Sequence, residues 1–190
     1  MLLADLHSHS RASDGAYRPA EVAARAAGHG VNLWALTDHD TLDCEPEARA
    51  AALALGMDFL SGVEISVSYA GKTVHIVGLG VDTANAALRQ GLAQTRSGRS
   101  GRMQAMADKL ATLGIADAYA GALRFTDSAE GLSRTHLAQF LVQAGHCASM
   151  QEAFDRYLAD GKAAFVPFVW AKLQDAVAWI RGAGGVAVIA

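Results

Sequence analysis

The chain has 190 residues, 52% of them hydrophobic and 18% charged, and a net charge of −3 at pH 7, so it can bury one substantial core, or one core with an insert. That balance gives no overall basic surface for nucleic acid or membrane and leaves only local patches as phosphate-binding candidates. The two cysteines, Cys44 and Cys147, lie far apart and outside any CxxC pattern, which argues against a disulfide framework or thiolate zinc site and fits a reducing, cytoplasmic setting.

The opening MLLADLHSHS has no basic leader and no long apolar run, so it reads as a strand and not a signal peptide; no segment is apolar for long enough to span a bilayer. RPAEVAARAAGHG follows as a helix, with Pro19 near its start and Gly28 and Gly30 near its end. VNLWAL is the next strand, stopped by TDHDT, and CEPEARAAALALG is an alanine-rich helix closed by Gly56. FLSGVEISVSYAG and KTVHIVGLGV read as two strands around a turn at Ala70-Gly71. Strand, helix, strand, helix, strand is the pattern of an α/β fold with parallel strands.

The pattern changes near Asp82. Three helical stretches fill most of 83–165, with no convincing strand and with a small basic cluster, RSGRSGR, at 96–102. KLQDAVAWIRGAGG and VAVIA then restore the helix and strand alternation. The expected organisation is an α/β part at 1–82, a helical insert at 83–165 acting as a lid and substrate-recognition element, and a return to the α/β part at 166–190. Sites in α/β folds lie beyond the carboxyl ends of strands. A chain that stops at Ala190, directly after a strand, therefore reads as cut short.

Six residues stand out. His7 and His9, two apart on a strand, face the same way. Asp14 follows in a loop that Gly15 lets turn, and His39 sits in TDHD after the second strand. Glu64 and His75 each interrupt an apolar run. Each alone has an ordinary explanation: a turn for Ser-Asp-Gly, an arginine partner for Glu64, a hydrogen-bonded core histidine for His75. Four histidines and two carboxylates at or near strands of one α/β segment, without sulfur ligands, favour a shared metal centre instead. Asp5, Asp38 and Asp40 are candidates for orienting the histidines, or for capping strand ends. Arg134 and His136 in SRTH, with Arg99 and Arg102 as weaker candidates, are expected to contact phosphate, which arginine grips bidentately. Met103, Met106, Leu110 and Leu113 follow helical spacing and read as core. His29 and His146, beside glycines, read as structural or exposed. GAGGVAV is no phosphate loop, because its glycines precede a strand.

DLHSHSRASDG, ALTDHDT, GVEIS and VHIVGLG, in this order, resemble the PHP (polymerase and histidinol phosphatase) family, and with SRTH, EAFDRYLADGKAAFVP and GAGGVAVIA the chain is similar to its 3',5'-nucleoside bisphosphate phosphatase and 5'-3' oligoribonuclease branch. The resemblance covers essentially the whole chain. It implies a distorted (β/α)7 barrel and a site of three divalent metals, manganese most of all, with iron or zinc as the other choices. His7 and His9 would hold a first metal, with Glu64 bridging to a second held by His75, and Asp14 and His39 would hold a third. Glu64, His39 and Asp14 would be the catalytic residues. Family members complete the site with a His-Pro pair after the last strand here and with a later Asp-x-His; neither is in this sequence, in keeping with a chain cut short. The implied activity is metal-dependent hydrolysis of the 3'-phosphate of nucleoside 3',5'-bisphosphates, or trimming of short RNA from its 5' end, with no membrane partner and no stable double-stranded nucleic-acid complex. A histidinol-phosphate or other small phosphomonoester phosphatase, and a non-catalytic PHP binding module, are the alternatives.

Overall fold

The computed structural model describes residues 1–190. The chain divides into two compact units, one formed by Met1–Arg96 with Val169–Ala190 and the other by Ser97–Phe168. No helix is long and apolar enough to cross a membrane.

The first unit is α/β. Strands β1 (Ala4–Asp5), β2 (Leu33–Trp34) and β3 (Asp58–Phe59) form a parallel sheet in that order. Helices α1 (Pro19–Gly28) and α2 (Glu45–Ala54) cover it. Pro19 opens α1, and the Glu21 carboxylate accepts the Arg18 backbone N–H at 2.8 Å, closing the first turn. Both helices turn alanines inward, Ala23 and Ala26 against Ala48 and Ala52, so they approach closely around the fully buried Trp34.

Strands β4 (Gly62–Tyr69) and β5 (Lys72–Leu79) are an antiparallel hairpin turning at Ala70 and Gly71, both at positive φ, as a two-residue primed turn requires. With β6 (Ala171–Lys172) and β7 (Val186–Ile189) they make a second sheet, ordered β6-β4-β5-β7. Alternation along β4 sorts its residues: Val63, Ile65 and Val67 enter an apolar core with Leu88 and Leu92 of α3 (Ala86–Arg96) and Ala176 and Ile180 of α8 (Leu173–Gly182). Glu64 and Ser66 are left to the opposite face. A bridge between His39 and Glu64 links the chain after β2 to β4. The strands form two sheets and do not close into a barrel.

Three sequence readings need revision. The segments expected as the first two strands keep only two paired residues each, because the chain departs from the ladder where it begins to present site residues. The expected insert boundary at 83 assigns α3 to the helical part; in the structure α3 packs on α8, where Gly91 leaves room for the Trp179 ring, and the helical unit begins at Ser97. Leu113 is 47% exposed, because it caps the C-terminus of its helix instead of continuing the buried stripe.

The second unit is helical: α4 (Arg99–Thr112), α5 (Ala118–Leu123), α6 (Arg134–Gln143) and α7 (Met150–Ala153), the last running into a π-helical turn at Phe154–Leu158. Met103, Met106 and Leu110 of α4 meet Leu137 and Leu141 of α6 in its core. Ser133 caps α6, and His136 returns the contact by accepting the Ser133 N–H at Nδ1, 3.0 Å away.

Candidate metal centre

The site of the α/β unit grows from two strand faces. Past β1 the chain runs beside residues 35–37: Ala35 N–H donates to Asp5 O and Thr37 N–H to Ser8 O. Ser8 turns to the Trp34 side, accepting from the indole N–H at 3.0 Å and donating to Ala35 O at 2.8 Å. Its neighbours His7 and His9 therefore point the other way together. On the hairpin, Ser66 pairs with His75, so His75 lies diagonally across from Glu64 on the same face.

Glu64 is the centre of the arrangement. It is almost fully buried. Its Oε2 lies 2.9 Å from Nε2 of both His7 and His9 and 3.6 Å from Nδ1 of His39, and its Oε1 lies 3.0 Å from Nδ1 of His75. Asp14 sits on the other side of two of these rings, its Oδ1 3.7 Å from His9 Nδ1 and 3.8 Å from His39 Nε2. The His9 and His39 rings stack with centroids 4.7 Å apart, and each offers one nitrogen to each carboxylate.

All six residues singled out in the sequence thus come together, in three overlapping groups whose ligand atoms lie within 4.8 Å of one another: His7, His9 and Glu64; His9, Asp14 and His39; His39, Glu64 and His75. The groups overlap: Glu64, which the resemblance implies as a bridge, belongs to two of them. They also share His9 and His39, which it did not anticipate. A carboxylate ringed by imidazoles, with a second carboxylate beyond, is an N/O donor set suited to divalent transition metals, so the residues present fit such ions.

The electrostatics agree. Burial alone would raise Glu64, but hydrogen bonds from His75 and His9, the charge of His39 and the hydrogen bond from His7 outweigh it and hold the carboxylate far below its usual range. Burial also opposes charging of His9; its hydrogen bond to Glu64, then the charges of Asp14, Glu64 and Asp38, raise it above the ordinary histidine value. A raised folded-state value adds stability that is full below the unfolded value of about 6.5 and is lost as pH rises through the folded one. His9→Gln is therefore expected to flatten the loss of stability of metal-free protein above about pH 6.5. Urea unfolding across that range checks it, and an undiminished slope in the variant would refute the coupling.

The flanking aspartates do something more specific than the expected orienting or capping. Asp5 accepts the His7 N–H at 3.4 Å. Asp38 holds Ser10 and Ser13, and Asp40 holds Ser66. Sequence reading missed these serines; the only signal was their recurrence beside the site residues.

The four predicted phosphate contacts lie in the helical unit. Arg99 and Arg102 are both buried. Burial, then the charges of Arg134 and Arg99, pull Arg102 down to about 10, and its guanidinium lies over the Phe165 and Phe168 rings while Nε donates to Val166 O. Arg134 donates to Asp160 at 3.1 Å and also faces Phe165. His136 is fully buried and serves the α6 cap through Nδ1, which leaves the proton of the neutral ring on Nε2.

Comparison with known proteins gives a consistent family. The PHP domain model matches residues 5–166. A 3',5'-nucleoside bisphosphate phosphatase of Chromobacterium violaceum is 52% identical over 98% of this chain and 65% of its own length. A 5'-3' exoribonuclease of Haemophilus influenzae is 42% identical over 98% of the chain and 67% of its own length. Among solved structures, an amidohydrolase from Chromobacterium violaceum, with sulfate bound and no metal, superposes with a TM-score of 0.96 at 51% identity, covering 98% of this chain and 66% of that one. A candidate metal-dependent phosphoesterase from Bifidobacterium adolescentis gives 0.90 at 27% identity, covering 98% and 65%. The chain thus spans about two thirds of the length of these relatives.

Proposed function

The chain belongs to the PHP domain family, and from that premise we propose that it carries the metal centre of a phosphoesterase that removes the 3'-phosphate of nucleoside 3',5'-bisphosphates or trims short RNA from its 5' end. The observation that carries this reading is Glu64, a buried carboxylate within 3.0 Å of the rings of His7, His9 and His75, backed by Asp14 across His9 and His39. The relatives named as phosphatase and exoribonuclease support the substrate class. Both reactions break the bond between phosphorus and a nucleotide 3'-oxygen, with a water oxygen joining phosphorus and the 3'-oxygen leaving as a hydroxyl.

His7, His9 and Glu64 would hold one divalent cation, Glu64 and His75 a second, and Asp14 with His39 a third. Bound there, such ions supply Lewis-acid activation of water and neutralise charge on phosphoryl oxygens. Manganese, iron and zinc all suit these ligands, and we favour manganese. The protein's own part is to hold the Glu64 carboxylate ionised, as ligation requires, and to bring His39 and Asp14 beside it. Within the helical unit, Arg102, Arg134 and Arg99, with His136 as a further donor, are the proposed phosphate contacts. A buried arginine lowered by the charge of its neighbours, as Arg102 is, is stabilised by an arriving anion. The helical unit is the substrate-recognition element in this reading, and the two sheets are arcs of a distorted (β/α)7 barrel.

Phosphate release from adenosine 3',5'-bisphosphate and from histidinol phosphate, with added manganese and with chelator, tests the proposal. We expect faster, chelator-sensitive release from the bisphosphate. Preference for histidinol phosphate would overturn the substrate class, and no phosphate release from either, with no nucleotide released from a short 5'-phosphorylated RNA, would leave a non-catalytic binding module. Arg102→Ala is expected to raise KM for the bisphosphate by about 10-fold or more, the scale of losing a hydrogen bond to a charged group. An unchanged KM would remove Arg102 from the phosphate site.

A further inference from the structure

Asp38 and Asp40 flank His39, and both are buried. They face opposite ways. Asp38 accepts the Ser10 N–H at 2.7 Å and the Ser13 hydroxyl at 2.6 Å on Oδ1, and the Ser10 hydroxyl at 2.6 Å on Oδ2. Ser10 and Ser13 belong to the loop that carries Asp14, and the Ser13 hydroxyl also lies 3.4 Å from His9 Nδ1. Asp40 takes the Ser66 N–H at 2.8 Å on Oδ1 and the Ser66 hydroxyl at 3.0 Å on Oδ2. Ser66 stands two residues beyond Glu64 and opposite His75. The backbone repeats the connection: Asp40 N–H donates to Glu64 O at 2.8 Å and Glu64 N–H to Asp38 O at 3.2 Å.

Asp40 holds this contact from left-handed backbone, at φ 54°. That region disfavours most side chains and tolerates aspartate. The excursion aims its carboxylate at β4 while Asp38, two residues earlier, aims at the first loop. His39 lies between them and belongs to two of the three ligand groups.

We infer that Asp38 and Asp40 are positioning residues with divided work: Asp38 sets the geometry of the group formed by His9, Asp14 and His39, and Asp40 that of the group formed by His39, Glu64 and His75. The assignment rests on the metal-centre reading above. Each carboxylate spends both oxygens on serine hydroxyl and amide donors, the stronger, charge-assisted kind of hydrogen bond. Ligand groups lose affinity when the residues behind them are loosened, commonly by 10- to 100-fold.

The test uses Asp38→Asn and Asp40→Asn, with the milder Ser13→Ala and Ser66→Ala in case an aspartate variant does not fold. In metal-free protein, amide exchange is expected to quicken at residue 10 for Asp38→Asn and Ser13→Ala and at residue 66 for Asp40→Asn and Ser66→Ala. Stepwise cobalt(II) titration followed by calorimetry is compared with Asp14→Asn and His75→Gln as references. Asp38→Asn should weaken most the same cation as Asp14→Asn, and Asp40→Asn most the same cation as His75→Gln, each by about 10- to 100-fold, with smaller effects on the remaining steps. Uniform weakening of every step in both variants, or wild-type titrations in both, overturns the divided assignment. Unchanged exchange at Ser10 and Ser66 overturns the clamps themselves. A parent protein that takes up no cobalt, manganese or zinc while showing the local exchange changes sinks the metal reading and leaves the clamps standing.

Discussion

Glu64→Gln is expected to abolish cation binding at two of the three ligand groups and to lower phosphate release by about 10^3-fold, the upper scale for losing one preorganised electrostatic partner. The substitution keeps shape and volume, so packing in the β4–β5 hairpin is preserved. What it removes is the charge that four imidazoles converge on. Glu64 belongs to the group with His7 and His9 and to the group with His39 and His75, so one change strips the anionic member from both. Glutamine also turns an NH2 toward ring nitrogens that, in the proposed centre, would present lone pairs to a metal. Asp14→Asn leaves Glu64 in place and is expected to be milder in cation content. Elemental analysis of purified protein and single-turnover phosphate release check the result. A Glu64→Gln protein with parental metal content and rate would show that Glu64 is no bridge.

Much of this centre is legible in the sequence because its chemistry sits on regular periods. His7 and His9 are two apart where the chain is extended, and Glu64 and His75 are polar interruptions of apolar runs that only a buried partner set explains. The sharing of His9 and His39 between two carboxylates was not readable, since it depends on ring orientation fixed by contacts across the fold. Gly15 stands where the loop turns, as its sequence suggests; what the structure adds is that it is not at positive φ and that glycine gives space to the His9 and Ser10 main chain.

The helical unit shows the same division. Its core stripe at Met103, Met106 and Leu110 follows the helical period and is buried as read. Its start was misplaced because α3 is amphipathic like its neighbours. Only the tertiary partner, Trp179 of α8 against Gly91, tells which unit it joins. The approach of Arg134 to Arg99 and Arg102, more than thirty residues earlier in sequence, is likewise a tertiary fact.

Gly15→Ala is the second change expected to act strongly, and it acts through backbone alone. A Cβ on Gly15 would lie 2.2 Å from His9 O, 2.5 Å from His9 C and 2.8 Å from Ser10 N. These are main-chain atoms, so no rotamer change relieves the overlap. The Gly15 N–H donates to Ser10 O at 2.9 Å, and separating the two segments would break that bond too. Relief must come from moving the loop of residues 10–15, which carries Asp14 and is tied to Asp38 through Ser10 and Ser13. We expect a stability loss of about 1–3 kcal/mol, the range for overpacking, and about 10- to 100-fold weaker binding of the cation proposed at Asp14 and His39. Gly28→Ala is the control: a Cβ there meets nothing within 4 Å, and alanine favours the helix by about 1 kcal/mol. Urea unfolding and cation titration of both variants decide the matter. If Gly15→Ala matches its parent in both while Gly28→Ala shows the expected gain, the close approach of the first loop to His9 does not shape the site.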